Sequence, residues 1–254
     1  KFLLNLSKNI ARVCIILFKS INFTRIKFFD SQTLKVEILR TIITATGSKL
    51  PDRRIKNADF FINVFMDENG VPNPNPTEEI IAKLEQITGI KERGCVELTG
   101  DSVPLMLEED KKCLADWGKD KNTLDCIIIA HNAGNMLEGS KGFHPVPNMA
   151  ALLKNALGIT NHECTSYDIL FGCPGWNQAI IQAHQQIQSG DAKNILVVAI
   201  EVISRLLDPH DLDSMILADG SAAAVISASD DDSKGLISYA TFSHANDDVR
   251  AIGC

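Results

Sequence analysis

The stretch Tyr-Asp-Ile-Leu-Phe-Gly-Cys-Pro-Gly-Trp, residues 167–176, changes from a strand pattern to a helix pattern around a single cysteine. Its first half is mostly apolar and aromatic, which is typical of the end of a β-strand. Pro174 suits the first position of a helix, because proline has no N–H group to leave unpaired there. Gly172 and Gly175 remove side chains on both sides of Cys173. The sequence therefore predicts a sharp turn that places Cys173 at or near the N-cap of a helix.

This position has a chemical consequence for Cys173. The unpaired N–H groups and the positive end of the dipole at a helix N-terminus favour a thiolate over a thiol. A thiolate is a strong nucleophile, so Cys173 is the candidate catalytic residue. The competing interpretation is a buried cysteine that serves as a small apolar residue.

Alternating strand and helix patterns extend outward from this turn in both directions. Predicted strands cover residues 36–45, 125–130, 165–171, 194–200, part of 215–227, and 236–242. Predicted helices cover residues 77–88, 104–117, 147–157 and 174–189. Repeats of this length imply right-handed crossovers between parallel strands, and hence an α/β layered fold with a mixed, mostly parallel sheet and flanking helices. Such sheets carry their active sites beyond the carboxyl ends of strands, and Cys173 follows such an end.

Composition excludes some classes of function. The net charge of the 254 residues is −7, although residues 1–40 carry eight basic and only two acidic side chains. The acidic remainder disfavours binding to a nucleic-acid backbone, which requires clustered Lys and Arg. The seven cysteines form no C-x-x-C pair and show no metal-ligand spacing. We therefore expect a reducing, cytoplasmic setting and no metal site.

The N-terminal region differs from the rest of the chain. Its longest charge-free apolar stretch, residues 13–18, is far shorter than the about 20 apolar residues that span a bilayer. We expect no membrane span, and we expect residues 1–35 to be an extension that is not part of the fold. Residues 36–254 would then form the folded domain.

Several motifs occur in a fixed order around the cysteine turn. They are Phe-Gly-Cys-Pro-Gly at 171–175, Ser-Gly-Asp-Ala-Lys-Asn-Ile-Leu-Val-Val at 189–198, Asp-Pro-His-Asp at 208–211, and Ala-Asp-Gly-Ser-Ala-Ala at 218–223. Upstream, residues 45–51 and the Thr-Gly-Ile segment at 88–93 complete the set. Together, over about residues 37–245, they resemble the β-ketoacyl-[acyl-carrier-protein] synthase III branch of the thiolase superfamily. The resemblance implies a thiolase-like layered fold, of which residues 36–254 would be the first, N-terminal half.

The resemblance also implies a reaction in fatty acid biosynthesis. The Cys173 thiolate would attack an acyl-CoA and hold the acyl group as a thioester, and its backbone N–H would be one donor of the oxyanion hole. Malonyl-ACP would then lose carbon dioxide and attack that thioester. The implied partners are acyl carrier protein and acyl-CoA or acyl-ACP, with no cofactor, and the full-length protein would be a homodimer. The Asp219-Gly220 turn would be structural, because small residues allow close packing behind the site.

The sequence departs from this pattern at the decarboxylation residues. The family uses a His in a His-Gln-Ala-Asn-like motif and an Asn in a Gly-Asn-Thr-like motif, both in the second half of the fold, and the chain ends at Cys254 before either. We therefore expect a fragment that is inactive in condensation. His131 follows a predicted strand near the expected pocket, but we expect it, like the other five histidines, to have a surface or satisfied structural role.

The expected coenzyme A clamp is also not visible. Family members place an aromatic residue and an Arg before the Thr-Gly-Ile segment and an Arg after the Asp-Pro-x-Asp turn. Here these positions lie within residues 83–87 and 211–213, which contain neither an Arg nor an aromatic residue. Arg93 and Arg205 are candidate substrate-binding cations, although a surface charge is the simpler interpretation of each. Val146, in the loop that corresponds to the one lining the partner subunit's pocket, is a candidate lining residue.

Three other functions remain open at this point. The first is a related condensing enzyme of polyketide or other secondary metabolism. The second is a non-catalytic fragment that binds acyl groups or a carrier protein. The third is a cysteine hydrolase, which would need a His within hydrogen-bond reach of Cys173, and His131 is the only reasonable candidate.

Overall fold

The structure, a computed structural model, describes residues 39–67, 69–97, 102–135 and 144–243. All of them belong to one structural unit, Ile38–Cys254. The expected extension at residues 1–35 lies outside the described residues. Within the described ranges, the longest helices have 15 residues, and none is both long and apolar enough to cross a membrane.

Five strands form the main sheet in the order β1-β7-β6-β4-β5. Their bounds are β1 Arg40–Lys49, β4 Cys126–His131, β5 Thr165–Leu170, β6 Asn194–Glu201 and β7 Gly220–Ser229. The pairings β6–β4 and β4–β5 are parallel, whereas β7 is antiparallel to both β1 and β6. Four strands therefore point the same way, which confirms the mixed, mostly parallel sheet. Two short strands, β2 Arg54–Lys56 and β3 Glu92–Gly94, form a separate antiparallel ribbon.

Helices cover both faces of the main sheet. Their bounds are α1 Thr77–Thr88, α2 Val103–Trp117, α3 Met149–Ala156 and α4 Gly175–Ser189. Ile127 and Ile129 of β4 pack with α2 and α3, whereas Cys126 and Ile128 pack with α4 on the opposite face. Since alternate residues of a strand point to opposite faces, β4 is buried on both sides, as its continuous apolar run predicts.

Local signals place α1 and α4 correctly. The predicted helix at residues 77–88 is confirmed, and it ends at Gly89, whose φ of 72° is the left-handed conformation that glycine adopts without strain. In α4, Ala179, Ala183 and Ile187 are fully buried against the sheet, on the face that the apolar spacing predicts.

The first predicted strand has the wrong bounds. The sequence predicts it at residues 36–45, but β1 continues to Lys49, and Gly47 pairs with Ala223 inside the sheet. A Cβ atom at Gly47 would lie 2.6 Å from the backbone oxygen of Glu109 in α2. Gly47 is therefore required for the close approach of a helix, and not for a turn.

The last predicted strand, residues 236–242, is wrong, because that segment contains no strand in the structure. Leu236 donates one backbone hydrogen bond to Thr41 in β1, at 2.9 Å. Beyond it, Tyr239 packs edge-on against His184 of α4 and accepts a hydrogen bond from Gln185. These contacts take the chain across α4 instead of along the edge of β1.

Candidate active site

A cavity of about 490 Å³ opens where the parallel strands end. His131 at the end of β4, Cys173 after β5 and Glu201 at the end of β6 line it, and Ser221 lines it from the start of the antiparallel β7. Since β7 runs against its neighbours, its first residues meet the carboxyl ends of the other strands. The cavity therefore occupies the position in which α/β sheets bind ligands.

The turn around Cys173 is built by its two glycines. Gly172 has a φ of 65°, and its carbonyl accepts a 2.9 Å hydrogen bond from the N–H of Gly175. A Cβ atom at Gly175 would lie 3.1 Å from the Cβ of Ala130 in β4, so glycine lets the helix start close to the sheet. Pro174 occupies the N-cap, and α4 begins at Gly175. The sequence predicts Pro174 as the first helical residue, so Cys173 lies one residue further from the helix than predicted.

The cysteines fall into two groups. Cys173 is exposed, which contradicts its interpretation as a buried apolar residue. The other free cysteines of the described residues are buried, and they are Cys95, Cys113, Cys126 and Cys164. Burial raises the pKa of Cys113 and of Cys164 to about 11, so these thiols stay protonated at neutral pH. Of the described free thiols, only Cys173 is accessible to a substrate.

His131 is not a surface residue, and only one of its two ring nitrogens has a partner among the described residues. It is 7% exposed, and its Nε2 lies 3.0 Å from Oδ2 of Asp168 in the neighbouring strand β5. The Asp168 carboxylate also accepts the backbone N–H groups of Met149 at 2.7 Å and Ala150 at 2.9 Å, at the start of α3. The other ring nitrogen of His131, Nδ1, is buried and has no hydrogen-bond partner among the described residues.

Glu201 fixes the turn that follows His131. Its carboxylate accepts hydrogen bonds from the backbone N–H groups of Asn132 at 3.1 Å and Ala133 at 3.2 Å, and from the Asn132 side chain at 2.6 Å. The end of β6 therefore holds the backbone that leaves the end of β4. Sequence reasoning did not select Glu201 or Asp168, although an acidic residue within an apolar strand is a usable signal for both.

Asp219 has the structural role that the sequence indicates for its turn. It is 3% exposed, and its carboxylate accepts the backbone N–H groups of Val96 at 2.8 Å and Ser204 at 2.9 Å. It joins the segment after β3 to the loop after β6 and supports the cavity from behind.

The two candidate arginines do not line the cavity. Arg93 is buried, which contradicts its interpretation as a surface charge. Its guanidinium donates to the side-chain oxygen of Asn57 at 2.7 Å and lies 4.9 Å from the ring centre of Phe60. Arg205 donates through Nε and Nη2 to the backbone oxygen of Glu97, at 3.2 and 2.7 Å. Arg93 therefore serves the packing beneath α1, and a role for either residue in substrate binding remains a prediction.

Val146 also lies outside the cavity lining. Its side chain is 83% exposed. Residues 142 and 143 of the same loop are outside the described residues. The expectation that Val146 faces a partner subunit's pocket therefore remains a prediction.

A second groove, of about 450 Å³, runs along α1. Lys83 and Ile87 of α1 line it together with Leu212, so the two segments in which the family's coenzyme A clamp is not visible do meet in space. Among its lining residues within the described ranges, Lys83 is the single cation, and Glu79 lies one turn before it. The described residues also contain no group of three His, Cys, Asp or Glu side chains that could hold a metal ion.

The chain matches known proteins over most of its length. A family model described as 3-oxoacyl-[acyl-carrier-protein (ACP)] synthase III matches residues 167–245. The β-ketoacyl-[acyl-carrier-protein] synthase III of Staphylococcus aureus strain Newman is 34% identical over 197 residues, which are 78% of this chain and 56% of that protein. The chain therefore spans about half the length of the curated relatives it matches.

Solved structures show the same relationship. The 3-oxoacyl-[acyl-carrier-protein] synthase III of Aquifex aeolicus VF5 has a TM-score of 0.60 and 26% identity, and the match covers 75% of this chain and 55% of that one. The Thermus thermophilus β-ketoacyl-[acyl-carrier-protein] synthase III has a TM-score of 0.55 and 28% identity, over 73% of this chain and 50% of that one. With the motifs, the sheet order and the turn before α4, these likenesses show that the chain belongs to the 3-oxoacyl-[acyl-carrier-protein] synthase III family and has its thiolase-like fold.

Proposed function

We propose that Cys173 accepts an acyl group from an acyl thioester, the first half-reaction of a 3-oxoacyl-[acyl-carrier-protein] synthase III in fatty acid biosynthesis. One observation carries the proposal. Cys173 is an exposed thiol that lines a cavity at the carboxyl ends of the parallel strands, directly before the N-terminus of α4. The positive end of a helix dipole favours the oxyanion that forms when a thiolate attacks a carbonyl.

The proposed step is an exchange of thioesters. The Cys173 sulfur forms a bond to the acyl carbonyl carbon, and the bond from that carbon to the carrier's sulfur breaks. The backbone N–H of Cys173 serves as one donor to the oxyanion of the tetrahedral intermediate. The product is an acyl-cysteine in the cavity and a free carrier thiol.

Condensation with malonyl-ACP belongs to the second half-reaction. The resemblance assigns its decarboxylation step to a His and an Asn in the second half of the family's fold. The proposal for the residues described here is therefore limited to formation of the acyl-cysteine. Acyl carrier protein as a partner, a homodimer paired through the edge strand β5, and a cytoplasmic setting complete the proposal, and the free thiols of the described cysteines support that setting.

The groove along α1 bears on the identity of the acyl donor. The nucleotide of coenzyme A carries several negative phosphate charges, and Lys83 is the single cation among the groove's described lining residues. This favours a donor recognised by its acyl-pantetheine arm, as on acyl carrier protein, over one held by its nucleotide.

The proposal is tested by intact-protein mass spectrometry of the 254-residue chain after incubation with a short acyl-CoA and with the matching acyl-pantetheine. We expect one acyl adduct that maps to Cys173. The Cys173→Ala variant should give none, whereas Cys164→Ala, which removes a buried thiol, should be acylated as the unaltered chain is. Equal acylation of Cys173→Ala would overturn the assignment of the site.

A further inference from the structure

His131 is the buried polar side chain on the wall of the cavity that the proposed function leaves without a role. Its side chain is 4% exposed, and it lines the cavity together with Cys173. Protein interiors rarely leave such a nitrogen without a partner. A ring nitrogen without a partner, on a residue that lines the same cavity as a candidate nucleophile, therefore requires an explanation.

Asp168 determines which nitrogen of His131 is orphaned. Its carboxylate accepts hydrogen bonds from the backbone N–H groups of Met149 and Ala150 at the start of α3. An ionised carboxylate can only accept, so Nε2 of His131 must donate to it across the 3.0 Å contact. In the neutral ring, Nδ1 then carries a free lone pair.

The charged groups near His131 come from two strands. Asp168 comes from β5 and Glu201 from β6, whereas β1 and β7 contribute Ser48 and Ser221 to the cavity. The described residues that line the cavity include no Lys or Arg. A proton that moved to this ring would therefore meet two acidic side chains and no cation among the described lining residues.

We propose that His131, oriented by Asp168, takes up the proton of the Cys173 thiol during acyl transfer. The substrate in this statement rests on the proposed function, but the pairing of the two side chains does not. The structure places both side chains on the wall of one cavity without a hydrogen bond between them, and catalytic hydrogen bonds of this kind often form only in the complex with substrate. The arrangement follows the logic of a nucleophile, a base and an acid that orients the base.

The proton balance of the step is complete within the site. The S–H bond of Cys173 breaks, and the proton moves to Nδ1, while Nε2–H stays bonded to Asp168. The thiolate then forms the new bond to the acyl carbon as the bond to the carrier's sulfur breaks. The departing carrier thiolate takes the proton from Nδ1, and the ring returns to its neutral form.

The first test measures alkylation of Cys173 by iodoacetamide between pH 5.5 and 9.5. The unaltered chain should react at neutral pH, and His131→Gln should react at least about tenfold more slowly at pH 7, with its rate midpoint moved to higher pH. His184→Gln is the matched control, because His184 bonds to Thr41 at 2.9 Å away from the cavity. Folded His131→Gln with an unaltered rate and midpoint would overturn the proposal.

A second measurement covers the case in which His131→Gln does not fold. The titration of the His131 ring is followed by NMR in the unaltered chain and in Cys173→Ala, which changes an exposed side chain. We expect its midpoint to move by at least about half a pH unit, as coupled titrations do, while that of His184 stays in place. An unmoved His131 midpoint contradicts the pairing.

The two proposals fail in different ways. If iodoacetamide alkylation depends on His131 but no acyl donor acylates Cys173, the proposed function is wrong and the pairing stands. If Cys173 is acylated at the same rate in the unaltered chain and in His131→Gln, the proposed function stands and the role of His131 is wrong.

Discussion

Two pairs of acidic residues in this molecule differ in how their carboxylates are held. At the rim of the cavity, Asp168 and Glu201 each accept two backbone N–H groups. In α2, Glu109 and Asp110 are 2% and 0% exposed, and none of their carboxylate oxygens has a hydrogen-bond partner among the described residues. The first pair is placed by its bonds, and the second is placed only by the packing of its helix.

The first pair holds the geometry of the site, whereas the second pair destabilises the folded state. The carboxylates at the rim tie the first residues after β4 and the start of α3 to neighbouring strands, so they fix where His131 and Asn132 lie. The acids in α2 are buried because the helix packs closely on β1 and β7, and desolvation of an unpaired acid destabilises the folded state. Substitutions in the two pairs should therefore change stability in opposite directions.

The largest effect is expected from Asp168→Asn. The amide keeps one acceptor oxygen but presents a donor to the second N–H at the start of α3, and it no longer forces Nε2 of His131 to donate. We expect the free energy of unfolding, measured with urea at pH 7, to fall by about 2–3 kcal/mol.

Asp67 provides the matched control for Asp168→Asn. Its carboxylate also accepts two backbone N–H groups, from Asn69 and Val71, each at 2.9 Å, but it is exposed. Because water can replace the lost acceptor, Asp67→Asn should lower the free energy of unfolding by less than about 1 kcal/mol. Equal losses in the two variants would show that burial is not what distinguishes the rim carboxylates.

Asp110→Asn should act in the opposite direction. Burial, together with the neighbouring Glu109 carboxylate, holds the pKa of Asp110 well above its ordinary value. The folded state therefore binds this proton more tightly than the unfolded state, and the stability falls as pH rises from about 4 towards the folded-state pKa. We expect Asp110→Asn to raise the free energy of unfolding by about 1–2 kcal/mol at pH 8 and to change it little at pH 3.5.

The control for Asp110→Asn lies on the same helix. Asp116 is exposed in α2, so Asp116→Asn should change the stability little at either pH. If Asp110→Asn destabilises the chain at pH 8, this carboxylate has a partner that offsets its burial, and the contrast with Asp168 disappears.

The contrast between the two acidic pairs could not be predicted from the sequence, although much of the fold could be predicted from it. The turn at Cys173 and the end of α1 at Gly89 depend on residues adjacent in the chain, so local signals suffice. The contact between His131 and Asp168 joins residues 37 positions apart. It depends on the parallel register in which Ala130 pairs with Ile169 and His131 with Leu170, which no local pattern specifies.

The predicted bounds of β1 and the predicted strand at 236–242 are wrong for the same reason, because contacts between residues distant in the sequence determine both segments. The β1 strand is paired with β7, about 180 residues later, and Gly47 is buried against α2. A glycine that ends a strand and a glycine that lets a helix approach look alike in a sequence. The contacts of Tyr239 with α4 are equally non-local, and they decide the path of a segment whose composition suits a strand.

A smaller effect is expected from Glu201→Gln. The amide loses the charge that attracts the N–H groups of Asn132 and Ala133, but it keeps one acceptor at a half-buried position. We expect a loss of about 1 kcal/mol and faster hydrogen exchange at these two amides. Unchanged exchange would mean that the end of β4 holds this turn without help from β6.

The smallest effect, on the rate of acylation, is expected from Lys83→Ala. This variant extends the comparison from buried charges to a solvent-exposed one. Lys83 is exposed on α1, and an exposed charge interacts weakly because solvent and salt screen it. We expect Cys173 to be acylated by acyl-CoA and by acyl-pantetheine at rates within about threefold of each other, and we expect Lys83→Ala to change neither by more than about twofold. The measurement is the acylation rate at low and high salt. The contrary result would be a preference for acyl-CoA of more than about tenfold in the unaltered chain that is lost in Lys83→Ala. The groove would then bind the nucleotide, because one exposed cation would contribute more than 1.4 kcal/mol.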